Sequence, residues 1–254
     1  MSAILTSLVA GLLCADPINL SLQGTTPVAS DSTNHVQGLA VDGKRFFLSS
    51  VDKGEKTGWV YVIDRDTFKV QKSIRLALGD QYHPGGMQLV GEFLYVPLAE
   101  YRPKSTSTIL KIDTKSYQVY FVARVDDHIG AVAVANDGTM YLANWDAREI
   151  IILDPDGKPR EKKLNPTSTA YQDMEWHDGK LWGTGHTGVN NRPTSVIDVI
   201  DIDGWELAQR YTLSGKTESG NAHFGREGFT KEGNILWFAP EDAPKTTLYK
   251  FQLP

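Results

Sequence analysis

Five segments of this chain open alike, and no other feature restricts its fold as strongly. His35-Val-Gln-Gly-Leu, His83-Pro-Gly-Gly-Met, His128-Ile-Gly-Ala-Val, Tyr171-Gln-Asp-Met-Glu and Gly225-Arg-Glu-Gly-Phe each precede an apolar run, a turn and a second apolar run. The openings lie 48, 45, 43 and 54 residues apart, the period of four-stranded propeller blades. Like segments set around one axis bring their opening residues together. The repeat therefore predicts both a ring and a place on it where side chains converge.

The strand alternation supports this reading. Apolar residues recur with period two nearly throughout, and no long helical period follows Ala15. The innermost strands are predicted at His35–Val41, Gly86–Val90, Gly130–Ala135, Asp173–Trp176 and Glu227–Thr230. Three further strands follow in each repeat except the fifth, which lacks one. Ile18–Gln23 is the expected supplier: an N-terminal strand closing the last blade removes the open edges that a linear array leaves exposed. The fold class expected is all-β, a five-bladed β-propeller of four antiparallel strands per blade, formed as one domain by residues 16–254.

Residues 1–15 stand apart. Ala3–Ala15 is an apolar stretch too short to span a bilayer, and it reads as a secretory signal with Ala15 at the cleavage point. That predicts a secreted protein. The lone cysteine, Cys14, falls in this leader, so a thiol nucleophile, an intramolecular disulfide and a Cys-rich metal site are excluded. A net charge of −5 with no basic run argues against nucleic acid and against a membrane surface as partner.

Loop lengths assign the two faces of the ring. Turns between first and second strands are tight (Asp42-Gly-Lys, Asn136-Asp-Gly, His177-Asp-Gly), whereas Asp52–Gly58, Glu100–Ser107, His186–Thr194 and Ser214–Phe224 are long. The long connections share one face, the usual location of binding and chemistry on a rigid scaffold.

His35, His83, His128 and Tyr171 should point toward the axis on that face. Gln37, Asp173 and Glu227 lie two places along an opening and share its strand side. Second-strand ends add Glu100, Tyr101, Trp145 and His186. We expect His83, His128, Asp173 and Glu227 as catalytic acid–base groups. His35, Gln37, Glu100, Tyr101, Trp145, Tyr171 and His186 are expected to bind the substrate. Two other readings stay open. His35, His83 and His128 could instead hold a divalent metal with an open position, although nothing in the sequence requires a cofactor. Alternatively, the histidines bridge neighbouring blades by hydrogen bonds. No dinucleotide fingerprint, phosphate-binding loop, nucleophile elbow or zinc-protease helix is present.

The blade openings, together with Asn144-Trp-Asp and the Leu-Trp-Phe-Ala-Pro-Glu-Asp run ending at Asp242, resemble a predominantly secreted five-bladed propeller family of fungi and bacteria. A weaker resemblance is to fungal hetero-Diels–Alderases of tropolonic sesquiterpene pathways. That likeness implies a natural-product cyclase that dehydrates a hydroxymethyl phenol to a quinone methide and joins it to an alkene. The implied partner is a small hydrophobic or phenolic molecule. Plant-type glutaminyl cyclases are more distantly similar, at His35-Val-Gln-Gly-Leu and Gly225-Arg-Glu-Gly-Phe, but the His83 and His128 openings depart from them. The alternatives to a cyclase are a metal-dependent hydrolase or lyase and a non-enzymatic propeller that binds a glycan or small ligand.

Overall fold

A computed structural model describes residues 16–30, 32–187, 194–220, 223–244 and 246–254. The leader segment, Arg192 and part of two long loops lie outside them. Two short strands come first, β1 (Ile18–Ser21) and β2 (Gly24–Pro27). Blade one is β3 (His35–Val41), β4 (Arg45–Asp52), β5 (Thr57–Asp64) and β6 (Val70–Leu76). Blade two has a divided innermost strand, β7 (Gln81–Pro84) and β8 (Gln88–Val90), then β9 (Phe93–Glu100), β10 (Ser107–Asp113) and β11 (Val119–Val125). Blade three is β12 (Ile129–Val134), β13 (Met140–Asn144), β14 (Glu149–Leu153) and β15 (Pro159–Leu164). Blade four is β16 (Ala170–His177), β17 (Lys180–Thr187), β18 (Thr194–Asp201) and β19 (Glu206–Ser214). Blade five is β20 (Gly228–Glu232), β21 (Ile235–Ala239) and β22 (Thr247–Gln252). The expected five-bladed β-propeller is the observed fold.

The closing strand differs from expectation. β2, not Ile18–Gln23, pairs antiparallel with β22 and completes blade five, with Thr25 opposite Tyr249. β1 instead runs parallel to β19 as a fifth strand of blade four. Burial explains the choice: Leu20 sinks into the core between blades four and five, whereas closure by β2 needs only backbone pairing. Both N-terminal strands cover an outer edge that would otherwise be open.

Five apolar clusters fill the five interfaces between blades. Phe47, Trp182 and Trp237 are buried in them, and Trp59 and Tyr95 pack against them, as their in-strand positions predict. Nearer the axis the innermost strands touch directly. A Cβ on Gly38 would meet the Gly86 Cα at 2.8 Å, and one on Gly228 would meet the Gly38 carbonyl carbon at 2.6 Å. Only glycine allows these backbones so close.

Below the loop face the axis is plugged. Asp173 is fully buried; one carboxyl oxygen accepts the amides of Leu39 (3.1 Å) and Phe229 (3.0 Å), and the other accepts that of Met174 (2.9 Å). Gln88 takes the amides of Val134 (2.8 Å) and Trp176 (3.0 Å). Glu175 takes the Thr230 hydroxyl (2.7 Å), the Lys231 amide (2.9 Å) and the His177 ring (2.6 Å). These side chains stitch different blades together and close the floor beneath the loop-face cavity.

Candidate functional site

The innermost strands of blades one to four carry a bulge or break near their start, and in blades one, three and four this aims residues into the cavity. Register shifts fall between Val36 and Gly38, between Ile129 and Ala131, and between Tyr171 and Asp173. The extra residues are Gln37, Gly130 and Gln172. A bulge leaves one residue unpaired and re-aims it, and all three line one cavity of about 240 Å³. His35, His83, Tyr101, His128, Trp145, Tyr171 and Glu227 complete its wall.

That register corrects the sequence alignment of the fourth repeat. Gly38, Ala131, Asp173 and Gly228 face equivalent second-strand positions, namely Ser49, Ala143, Thr184 and Ala239. The counterpart of the histidines in blade four is thus Ala170, and Gln172 is the counterpart of Gln37 and Glu227. Asp173 is therefore not a catalytic side chain of the cavity wall. It stands where other blades place glycine or alanine, and it fills the axis below. Burial pushes its carboxyl well above the usual carboxylate range despite the three amides it accepts.

Two further expected ligand contacts are not in the wall. Glu100 turns its carboxylate to Arg102 (2.9 Å) and Thr106 (3.0 Å), which hold it below its ordinary pKa. It lines a separate groove with Gln81, Phe121 and Arg124. Only its carbonyl serves the site. His186, at the end of the β17 pairing, is exposed and also outside the wall. Tyr171 borders the cavity, but its hydroxyl is spent on Asp198 (2.9 Å) and Thr167 (2.8 Å). Gln172 is the wall residue that sequence reasoning missed; its Gln37 counterpart becomes visible only once the bulge fixes the register.

The three histidines each tie their blade to the preceding one. His35 Nδ1 lies 2.9 Å from Asp242 of blade five, and Asp242 also accepts the Val36 amide at 3.1 Å. His83 Nε2 lies 2.8 Å from Gln37 Oε1 of blade one. His128 Nδ1 reaches the carbonyls of Glu100 (2.9 Å) and Arg102 (3.1 Å) of blade two. The bridging reading is realised, but on one nitrogen of each ring.

These bonds fix tautomers. Carbonyl oxygens only accept, so His128 Nδ1 carries the hydrogen and Nε2 is left as a lone pair. The Gln37 amide nitrogen donates to the Val36 carbonyl at 2.7 Å, which turns its oxygen to His83. His83 Nε2 is then the donor, and its Nδ1 is an acceptor. That Nδ1 is buried with no hydrogen-bond partner, an exception among buried polar atoms.

Burial also sets the charges. His128 is 2% exposed, and desolvation lowers its pKa to about 4. His83, 7% exposed, is held well below an ordinary histidine by burial first, then by His128, His35 and Lys53. Both rings are neutral at neutral pH. Glu227, 5% exposed, moves the other way: burial raises its carboxyl well above the usual range. Arg226 Nε lies 3.1 Å away, but this half-exposed guanidinium also faces Asp242 at 3.7 Å and only tempers the shift.

Aromatic rings make one side of the cavity. His83 packs 4.2 Å from Tyr101 and 5.2 Å from His128, and Trp145 meets the His128 ring edge-on at 4.4 Å (ring centroids). Trp145 is 40% exposed, as a rim residue should be. Lys53 Nζ sits 4.8 Å from the centroid of the Tyr101 ring, over its face.

The His35, His83 and His128 set does not fit a metal. No group of three or more His, Cys, Asp or Glu among the described residues is placed to hold an ion.

A family model described as a family of unknown function (DUF6454) matches residues 22–165. No curated protein matches the sequence. Among solved structures, a protein of unknown function from Bacteroides thetaiotaomicron is similar at 11% identity and a TM-score of 0.57, with 92% of this chain and 74% of that one covered. A luciferin-regenerating enzyme is similar at 11% identity and a TM-score of 0.54, covering 88% and 79%. The chain spans 62% of BamB from Moraxella catarrhalis, at 12% identity, 89% coverage of this chain and a TM-score of 0.44. At such identities the likeness to the first two is one of fold alone.

Proposed function

The chain belongs to the DUF6454 family, for which no activity is stated, so its chemistry has to be read from its own cavity, and we infer that it is an acid–base enzyme acting on a small hydroxylated molecule. One observation carries the reading. A carboxyl whose pKa burial raises (Glu227) and an imidazole whose pKa burial lowers to about 4 (His128) border the same cavity. Environments that push two titratable groups apart in this way mark an acid and a base. Glu227 is the proton donor, His128 Nε2 is the acceptor, and Tyr101 and Trp145 are walls that orient a ring.

Loss of water from an ortho-hydroxymethyl phenol suits this pair. The phenolic O–H bond breaks toward His128 Nε2 while the benzylic C–O bond breaks. The leaving oxygen takes the Glu227 proton and departs as water. The organic product is a neutral quinone methide, and a proton passed back from His128 to Glu227 resets the site. General acid–base assistance of this kind is worth roughly a hundredfold to ten-thousandfold in rate. The cavity of about 240 Å³ is below the ~300–1,000 Å³ typical of ligand sites. It favours one ring system inside, so a cycloaddition partner, which the hetero-Diels–Alderase resemblance implies, belongs at the mouth along Tyr101 and Trp145.

The test uses salicyl alcohol in oxygen-labelled water. Reversible dehydration exchanges the benzylic oxygen, read by mass spectrometry. Exchange should exceed the protein-free rate and vanish in Glu227→Gln and His128→Gln. No exchange above background, or equal exchange in the variants, removes the acid–base assignment.

A further inference from the structure

The outer edges of the five blades are not finished alike. β1 covers that of blade four and β2 that of blade five. The outermost strands of blades one and three, β6 and β15, are charged: β6 carries Lys72 and Arg75, and β15 carries Arg160, Glu161, Lys162 and Lys163. Such charges keep an open edge from pairing with another chain. β11 of blade two has neither protection. It reads Val-Tyr-Phe-Val-Ala-Arg-Val, and Phe121 is 66% exposed. Seven large apolar side chains are exposed among the described residues, and four of them, Leu78, Val119, Tyr120 and Phe121, lie on β11 or across the groove beside it. Exposed apolar surface concentrated in this way marks an interaction site.

Strand pairing shows which charges accompany this edge. Val119, Phe121 and Arg124 lie opposite Ile112, Leu110 and Thr108 of β10, alternate residues that share one strand side. Leu110 and Ile112 face the core between blades one and two. Phe121 and Arg124 therefore face the same way, and they line a groove of about 570 Å³ with Leu78 and Asp80. The other polar side chains of that groove, Gln81, Glu100, Thr106 and Thr108, bond to one another, and Glu100 also to Arg102. The side chains of Asp80 and Arg124 have no hydrogen-bond or ion-pair partner among the described residues. The groove holds one free charge of each sign, which makes it complementary to itself.

We propose that this face is the interface between two copies of the chain, related by a two-fold axis across β11. A two-fold sets the two edge strands antiparallel, so that their free backbone groups pair, and it matches one patch to itself. Each Arg124 then meets the partner's Asp80, and Phe121 and Leu78 are covered. The inference stands apart from the acid–base reading, because this groove and the axial cavity share no residue.

Sedimentation of the full chain over a concentration series, with charge-reversed variants, tests this. Wild type should run as a dimer and Phe121→Glu as a monomer. Arg124→Asp and Asp80→Arg should each weaken association at least about a hundredfold, by setting like charges opposite each other. The two together restore opposite charges and should recover most of that loss. All three positions are exposed, so every variant should melt close to wild type. In hydrogen exchange the β11 amides should be protected in the dimer and freed in Phe121→Glu. A wild type that stays monomeric overturns the proposal and leaves the edge to some other partner. Dimers that survive the single charge reversals, or a double variant no tighter than the singles, overturn it as well.

Discussion

The plug below the axis and the cavity above it use the same kinds of residue in opposite ways. Asp173, Gln88 and Glu175 are buried polar side chains on innermost strands, and each oxygen accepts hydrogen bonds from neighbouring backbone or side chains. His83, His128 and Glu227 are also buried on or beside innermost strands, yet His83 keeps an unpartnered nitrogen and His128 an unused lone pair. The saturated groups hold the ring together, whereas the histidines of the cavity wall are held through one nitrogen only. Polar burial alone would have ranked Asp173 as the better catalytic candidate, and hydrogen-bond accounting reverses that order.

The plug and the cavity should differ most in stability. Asp173→Ala strands three buried amides at about 1–3 kcal/mol each, so several kcal/mol should disappear from chemical denaturation. Glu227→Gln should do the reverse. It mimics the neutral acid, leaves the melting temperature unchanged or raised at neutral pH, and slows turnover by roughly a hundredfold or more. A Glu227→Gln protein as unstable as Asp173→Ala would erase the distinction.

Acid should weaken the cavity side specifically. The folded-state pKa of His128 is depressed, from 6.5 to about 4, so the unfolded chain binds more protons between these values. Its contribution is full above pH ~6.5 and falls through that window, by about 3 kcal/mol at the low end. Glu227, with a raised pKa, has the opposite sign: its neutral form favours folding, and stability drains as pH rises above its ordinary 4.5. Denaturation across pH should therefore flatten at the acid side in His128→Gln. The smallest effect is at the rim. Trp145→Ala should change stability by about 1 kcal/mol or less, since the ring is 40% exposed, while weakening ligand binding in calorimetry.

The sequence made the ring legible because alternation and tight turns are local signals. Gly138, in the Asn136-Asp-Gly turn, does adopt the left-handed conformation (φ 89°) that such a turn wants. The closing strand was less visible. β2 is Gly-Thr-Thr-Pro with no alternation to announce it, whereas Ile18–Ser21 alternates but serves blade four. At the site, Glu227, His83, His128, Gln37, His35, Tyr101 and Trp145 converge as their repeat positions imply. Asp173 and Gln172 exchange roles because Tyr171 resembles the opening histidines, although Ala170 holds their place. A bulge adds a residue without any compositional mark, so only strand pairing reveals which neighbour faces the axis.

The most direct test of the account is the protonation state of Glu227. Infrared difference spectra of wild type against Glu227→Gln at neutral pH isolate its carboxyl from that of Asp173, which is common to both. A protonated carboxylic-acid band should be present in wild type and missing from the variant, titrating away only above the usual carboxylate range. A carboxylate band alone in that difference would mean that Arg226 holds Glu227 ionised, and the cavity would then have no acid to give.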